Sequence, residues 1–287
     1  MKGKTGIFSS RRDLLMDLGT PGDYNFDVYG MYSLRYLNRE YHGDVILGYK
    51  DSSGATQGFT PTEIIDGTLT TFANGDHVRV KTFYDQSGNQ NDATQTYRYS
   101  MPPIVLSGTL QKLDGTDLPA IDFDGSNDFL PLNSALPNID TGNCSSFSVG
   151  EFDNLAGITS GQEMLLSLGW TGNNGRWFMP SGRVGTFNIG YASTWNIDSA
   201  TGDNDPHLFT GIAGTDQGNF QPFIDGTSIG NFTRASNASS GTYGIGGGAS
   251  TSSYALDGRV AEVLVFAGDC STTRSAIEKN IMDYYGL

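Results

Sequence analysis

From Val78 to Tyr84 the side chains alternate. Val78, Val80, Thr82 and Tyr84 fall on one side, and Arg79, Lys81 and Phe83 on the other. A period of two predicts a strand with one face buried. Short apolar runs bounded by Gly, Asn, Asp and Ser recur along the chain and predict further strands at 45–49, 57–59, 120–123, 163–168, 208–213, 221–224, 243–245 and 260–266. Asp51-Ser52-Ser53-Gly54 is a hairpin turn between the first two of these, and Asp225-Gly226 supplies the positive φ angles of a tight hairpin.

Three segments carry helical spacing instead. Ser10 as a cap, Asp13 three residues on, the apolar Leu14, Leu15 and Leu18, and Gly19 before Pro21 predict a short helix near the N-terminus. Met31, Leu34, Leu37 and Tyr41, ended by Gly43, predict a second over 32–41. Ile277, Ile281 and Tyr284/Tyr285 share a face behind Ser271 as cap, with Gly286 at the end, and predict a closing helix. The expected fold is all-β: a two-sheet jelly-roll sandwich with short N-terminal helices and one C-terminal helix. Residues 1–30 read as an arm and 31–287 as one body; 287 residues suit a single large β-sandwich.

Composition narrows the partners. Lys and Arg total 17 against 31 Asp and Glu, a formal charge of -14, which disfavours phosphate and so nucleic acid. The charge is uneven: Lys2, Lys4, Arg11 and Arg12 precede the first acid, Asp13. A basic arm with the apolar residues Leu14, Leu15 and Leu18 is expected to attach to an acidic neighbour. No apolar run approaches the ~20 residues of a membrane span. Arg11, Arg12, Asp13 and Asp17 interrupt any signal-peptide core, so a cytoplasmic origin is expected. Cys144 and Cys270 lie far apart and form no metal or redox motif; buried free thiols are the default.

Several stretches together resemble known families. Tyr32-Ser33-Leu34-Arg35-Tyr36-Leu37 and Phe83-Tyr84-Asp85-Gln86-Ser87-Gly88-Asn89 resemble the opening of the α-L-arabinofuranosidase B catalytic domain. Phe123-Asp124-Gly125-Ser126-Asn127-Asp128-Phe129-Leu130, Phe223-Ile224-Asp225-Gly226 and the stretch from Gly258 to Phe266 are similar to strands of laminin-G-like, concanavalin A-type jelly rolls. The resemblance covers 31–287 and implies that fold. In the arabinofuranosidase family the nucleophile is a Glu in a Gly-x-Met-Glu context, and the acid is an Asp after Gly-Ile-Gly-Gly. This chain has Gly161-Gln162-Glu163-Met164, with Glu and Met exchanged, and Gly248 after Gly244-Ile245-Gly246-Gly247. In a strand that one-residue exchange turns the carboxylate to the opposite face, so Glu163 reads as a strand-surface residue and only a weak catalytic candidate, with Asp203, Asp205 or Asp216 as substitutes in space. A glycine donates no proton, so the resemblance implies a non-enzymatic protein.

Binding is read from other residues. Trp170, Trp177, Tyr191 and Trp195 lie among Asn173 and Asn174, and this window holds all three tryptophans. Aromatic rings beside planar amides suit carbohydrate. Asp85, Asn89, Asn91 and Asp92 form one oxygen-rich loop, and Asp122, Asp124, Asn127 and Asp128 another. Calcium needs six to eight such oxygens, but Asx turns use the same residues, and no cofactor is the preferred reading. The resemblance extends to standalone proteins of tailed-phage virions. It implies a homo-oligomeric virion surface protein, a capsid decoration or tail-fibre tip. Its arm would bind other virion proteins and its jelly roll a host-surface glycan. The alternatives are an arabinofuranosidase-type glycoside hydrolase and a purely structural cement protein.

Overall fold

A computed structural model describes residues 27–132, 144–155, 163–170, 179–183, 186–191, 196–213, 220–231, 242–247 and 254–287. Its centre is a seven-stranded antiparallel sheet. The order is Asp27–Ser33, Asp257–Ala267, Cys144–Phe152, His207–Ala213, Phe220–Ile224 and Thr227–Ser228, with Ile121–Asp124 pairing the start of Asp257–Ala267. The first and nearly the last elements of the chain thus lie side by side, from Asp27 opposite Ala267 to Ser33 opposite Glu262.

Three smaller antiparallel sheets complete the β structure. One holds Leu166–Trp170, Thr242–Ile245 and Leu130–Pro131, and one Glu163–Met164, Met179–Arg183, Thr186–Tyr191 and Asn196–Thr201. The third is built on Ile46–Lys50, Thr56–Phe59, Val78–Phe83 and Pro103–Leu106. The main core lies between the large sheet and its neighbours. Tyr32, Phe152, Phe209, Val263 and Val265 meet Phe59, Val80, Phe83, Leu166, Leu168 and Ile245 there.

The large sheet is covered on its other face as well. Phe147, Val149, Leu264 and Phe266 pack there against Ile277, Ile281 and Tyr285 of the closing helix Arg274–Tyr285. A strand covered on both faces has no solvent side, and all nine residues of Cys144–Phe152 are buried. Its serines fit because they are small. Ser145 donates to the Gly268 carbonyl at 2.7 Å and accepts from the Cys270 amide at 3.0 Å. Cys144 and Cys270 are both buried, packed on opposite faces of the sheet.

The predicted helix over 32–41 is absent. The strand Asp27–Ser33 and a loop take its place. Tertiary contacts satisfy this backbone better than a helix would. The Gln86 amide donates to the Ser33 and Arg35 carbonyls, both at 2.9 Å, and accepts from the Leu37 amide at 2.8 Å. Residues 27–30, assigned to the arm, belong to the sheet. The helix expected over 10–18 and the attachment residues Lys2, Lys4, Arg11, Arg12, Leu14, Leu15 and Leu18 lie outside the described residues. Two unforeseen short helices, Pro61–Ile65 and Thr68–Ala73, follow the first hairpin. The first has a capping box of Thr60 and Glu63, a signal readable in Thr-Pro-Thr-Glu. The closing helix starts at Arg274 without a side-chain cap, and Gly286 ends it at φ 78°. Among the described residues no helix is long and apolar enough to cross a membrane.

Candidate active site

A ridge of carboxylates forms where the ends of three strands meet. Asp122 and Asp124 sit two apart on Ile121–Asp124 and so share a face. They stand opposite Arg259 and Asp257 on the neighbouring strand. Glu151 pairs with Arg259 from the other side, and the Asp153 amide bonds the Asp257 carbonyl at 2.9 Å. Arg259 is the counter-ion of this ridge. Its guanidinium reaches Asp122 at 3.3 Å, Asp153 at 3.3 Å, and Glu151.

Glu163 joins the ridge from a separate sheet. Its carboxylate accepts from the Asp257 amide at 3.2 Å. Burial, opposed by that hydrogen bond and aided by the negative charges of Asp257 and Asp153, raises its pKa to about 7. Burial also raises Asp122, to about 6 despite Arg259, and Asp257. Near neutral pH Glu163, at about 7, is partly protonated while Asp122, at about 6, is mostly ionised, the pairing that acid–base chemistry needs.

The turn Gly244–Gly247 lies against the same region. The Gly246 amide bonds the Leu165 carbonyl at 2.8 Å, two residues from Glu163. Gly246 has φ 81°, and a Cβ there would stand 1.9 Å from the Phe123 ring, so only glycine fits. Gly248, at the position of the family's acid, lies outside the described residues. Asp128 is buried nearby with neither carboxylate oxygen hydrogen-bonded, and burial pushes it up to about 7.

The remaining predicted residues are dispersed. Asp203 holds the His207 Nε2 at 2.8 Å, and Asp205 bonds back to Asp203 through its amide. Asp216, Trp177, Trp195, Asn173 and Asn174 lie outside the described residues, and of Trp170 and Tyr191 only the strand positions are described. The first oxygen-rich loop spends its groups on the backbone. Asp85 accepts from the amides of Met31, Ser87 and Asn91 and from the Ser87 hydroxyl. Asp92 accepts from the Asp85 amide, while Asn89 and Asn91 donate to the Val28 and Tyr29 carbonyls. In the second loop Asp124 accepts from the Ser126 and Asn127 amides. These are Asx-type arrangements. Among the described residues no group of three or more His, Cys, Asp or Glu side chains is placed to hold a metal ion. The sequence reading missed the ridge, because its members come from four separated segments and no spacing links them.

No known family profile matches the chain, and no curated protein does. Solved structures do. A GH54 α-L-arabinofuranosidase soaked with a cyclic sulfate inhibitor matches with TM-score 0.68 at 14% identity. A mutant of a GH54 enzyme soaked with 4-nitrophenyl α-L-arabinofuranoside matches with TM-score 0.68 at 12% identity. An arabinofuranosidase complexed with arabinofuranosyl-α-1,2-xylobiose matches with TM-score 0.65 at 14% identity. Each match covers 93% of this chain, which spans 64% of the length of those chains. These neighbours are glycoside hydrolases, and they overturn the expectation of a non-catalytic virion surface protein. The exclusion of enzyme activity, drawn from the Glu163-Met164 exchange and from Gly248, falls with it. The fold is an all-β sandwich like that of these arabinofuranosidase structures.

Proposed function

We propose that the chain is a glycoside hydrolase of arabinofuranosidase type, with Glu163 as its proton donor. The observation that carries this reading is the Glu163 carboxyl, raised to about 7 and set beside Asp257 on a fold like that of the arabinofuranosidases. The resemblance places a glycine where the family's acid stands. A proton must then come from another carboxyl that keeps one near neutral pH, and Glu163 is bonded into the same region as the Gly244–Gly247 turn.

Glu163 gives its proton to the glycosidic oxygen as the C–O bond breaks, and the leaving group departs with the bonding electrons. Asp257, as its carboxylate, stabilises the positive charge that develops on the sugar ring. Water adds to the anomeric carbon, and its proton returns to the Glu163 carboxylate. Arg259 is a positioning residue that pairs with Asp122, Glu151 and Asp153, and its charge opposes the rise that burial imposes on Asp122 and Glu151.

The test is release of nitrophenolate from 4-nitrophenyl α-L-arabinofuranoside by the purified chain. On arabinofuranosyl-xylobiose, whose sugar leaving group must be protonated, Glu163→Gln should lower kcat by about 10²–10⁴-fold, the usual contribution of a general acid. Release no faster than the uncatalysed reaction, or full activity of the variant on arabinofuranosyl-xylobiose, overturns the proposal.

A further inference from the structure

Among the described residues, only Ile65, Tyr97 and Tyr99 are large hydrophobic side chains left exposed, and the two tyrosines are 60% and 55% exposed. They flank Arg98 in a single turn of 3₁₀ helix, Arg98–Ser100. The rings meet edge to face, with centroids 5.4 Å apart and planes at 62°. The Arg98 guanidinium lies 4.5 Å over the Tyr99 ring, which braces the pair.

The backbone below is tied down. The Tyr97 amide bonds the Gln95 side chain at 3.0 Å, and the Ser100 amide bonds the Tyr97 carbonyl at 2.9 Å. Gln95 Nε2 donates to the Phe129 carbonyl at 2.9 Å, and the Phe129 amide to the Ser100 carbonyl at 3.1 Å. Phe129 carries the link onward. Its ring fills the space that a side chain at Gly244 would need. One chain of contacts therefore joins the tyrosine pair to the turn that is bonded in turn to Leu165, beside Glu163.

Rigid rings held out in water lose little entropy when a ligand covers them. A stable protein partner needs roughly 800 Å² per side, several times what two half-exposed rings offer. The acidic chain disfavours phosphate-bearing ligands. A sugar ring fits: its C–H face stacks on an aromatic ring, and its hydroxyls need polar neighbours. Ser126 and Asn127 are exposed polar residues in the loop that leads to Phe129, whose amide is bonded to the Ser100 carbonyl of this turn.

We propose that Tyr97 and Tyr99 form a sugar-binding platform that holds a polysaccharide unit away from the bond being cut. The choice of an arabinofuranosyl ligand rests on the hydrolase reading above; the platform itself does not. The test is affinity electrophoresis of the full chain in native gels containing soluble arabinan. The wild-type chain should be retarded, and Tyr97→Ala with Tyr99→Ala should weaken the apparent Kd about tenfold. Tyr97→Phe with Tyr99→Phe should keep most of the retardation, because the ring faces remain. Glu163→Gln should be retarded like the wild type. Equal melting temperatures confirm that the exposed substitutions leave the fold intact. A double alanine variant retarded like the wild type overturns the platform, as does a wild-type chain that cleaves the aryl glycoside but is not retarded. Platform-dependent retardation without cleavage supports the platform and overturns the hydrolase reading alone.

Discussion

Glu163→Gln should cost activity and add stability, and the gain should depend on pH. The Glu163 carboxyl rises from 4.5 to about 7 on folding, chiefly because burial penalises its charge. Below 4.5 both states hold the proton and the residue is neutral in its effect. Between 4.5 and about 7 the unfolded chain releases the proton and the folded chain keeps it. The folded state then binds more protons, so stability falls as pH rises. Above about 7 the full penalty persists. Each tenfold change in proton affinity is worth about 1.4 kcal/mol, or ~3.4 kcal/mol for the whole rise. The side chain is partly exposed, and solvent screening reduces this to ~1.5 kcal/mol. Glutamine keeps the acceptor for the Asp257 amide and carries no charge, so it escapes the penalty. Urea unfolding at about pH 5 and about pH 8 measures the difference. The variant should gain most of that ~1.5 kcal/mol on the wild type as pH rises. A difference that does not change with pH refutes the electrostatic account of Glu163. A variant that loses ground as pH rises refutes it as well.

Two further outcomes follow from buried charge. Glu262 accepts from the Ser33 hydroxyl at 2.8 Å, from Arg35 at 2.8 and 3.0 Å, and from the Tyr285 hydroxyl at 3.1 Å, and it is fully buried. Glu262→Ala strands the Arg35 guanidinium in the core and should cost about 3–5 kcal/mol in urea unfolding; a loss below about 1 kcal/mol contradicts this. His207 bonds Asp225 at 2.6 Å and Asp203 at 2.8 Å, which raise it to about 9 against the opposing effect of burial. Its stabilising charge is fully present below 6.5 and is lost as pH rises through about 9. An NMR titration of the imidazole should show that midpoint, and Asp225→Asn should lower it; a midpoint near 6.5 in the unmodified chain sinks the clamp.

Much of the β framework was legible because its signals are local. The alternation of Val78 to Tyr84 marks the strand Val78–Phe83. Asp225-Gly226 turns at φ 48° and 74° as a tight hairpin requires. The apolar run at 260–266 lies within Asp257–Ala267, and Gly286 stops the last helix. Other elements were hidden for physical reasons. Cys144–Phe152, buried throughout, contains three serines and looks polar. It forms a strand because both faces of the sheet are covered and small residues fit there. Met31, Leu34, Leu37 and Tyr41 keep helical spacing, yet pairing with Asp257–Ala267 and the grip of Gln86 set their backbone.

The candidate site divides in the same way. The resemblance to the arabinofuranosidase family drew notice to Glu163, as a weak candidate, and to the Gly244–Gly247 turn, since both lie in contiguous stretches. The amino-acid order alone fixed the class of fold, because strand periodicity and turn chemistry act over a few positions. Only the folded chain brought Asp122, Glu151, Asp153, Glu163 and Asp257 to one ridge around Arg259, and joined Arg35 to Glu262 across 227 residues. Desolvation decides which carboxyl keeps its proton, and exposure decides which tyrosines face water. Both are properties of the packed molecule, set by distant segments that no local pattern records.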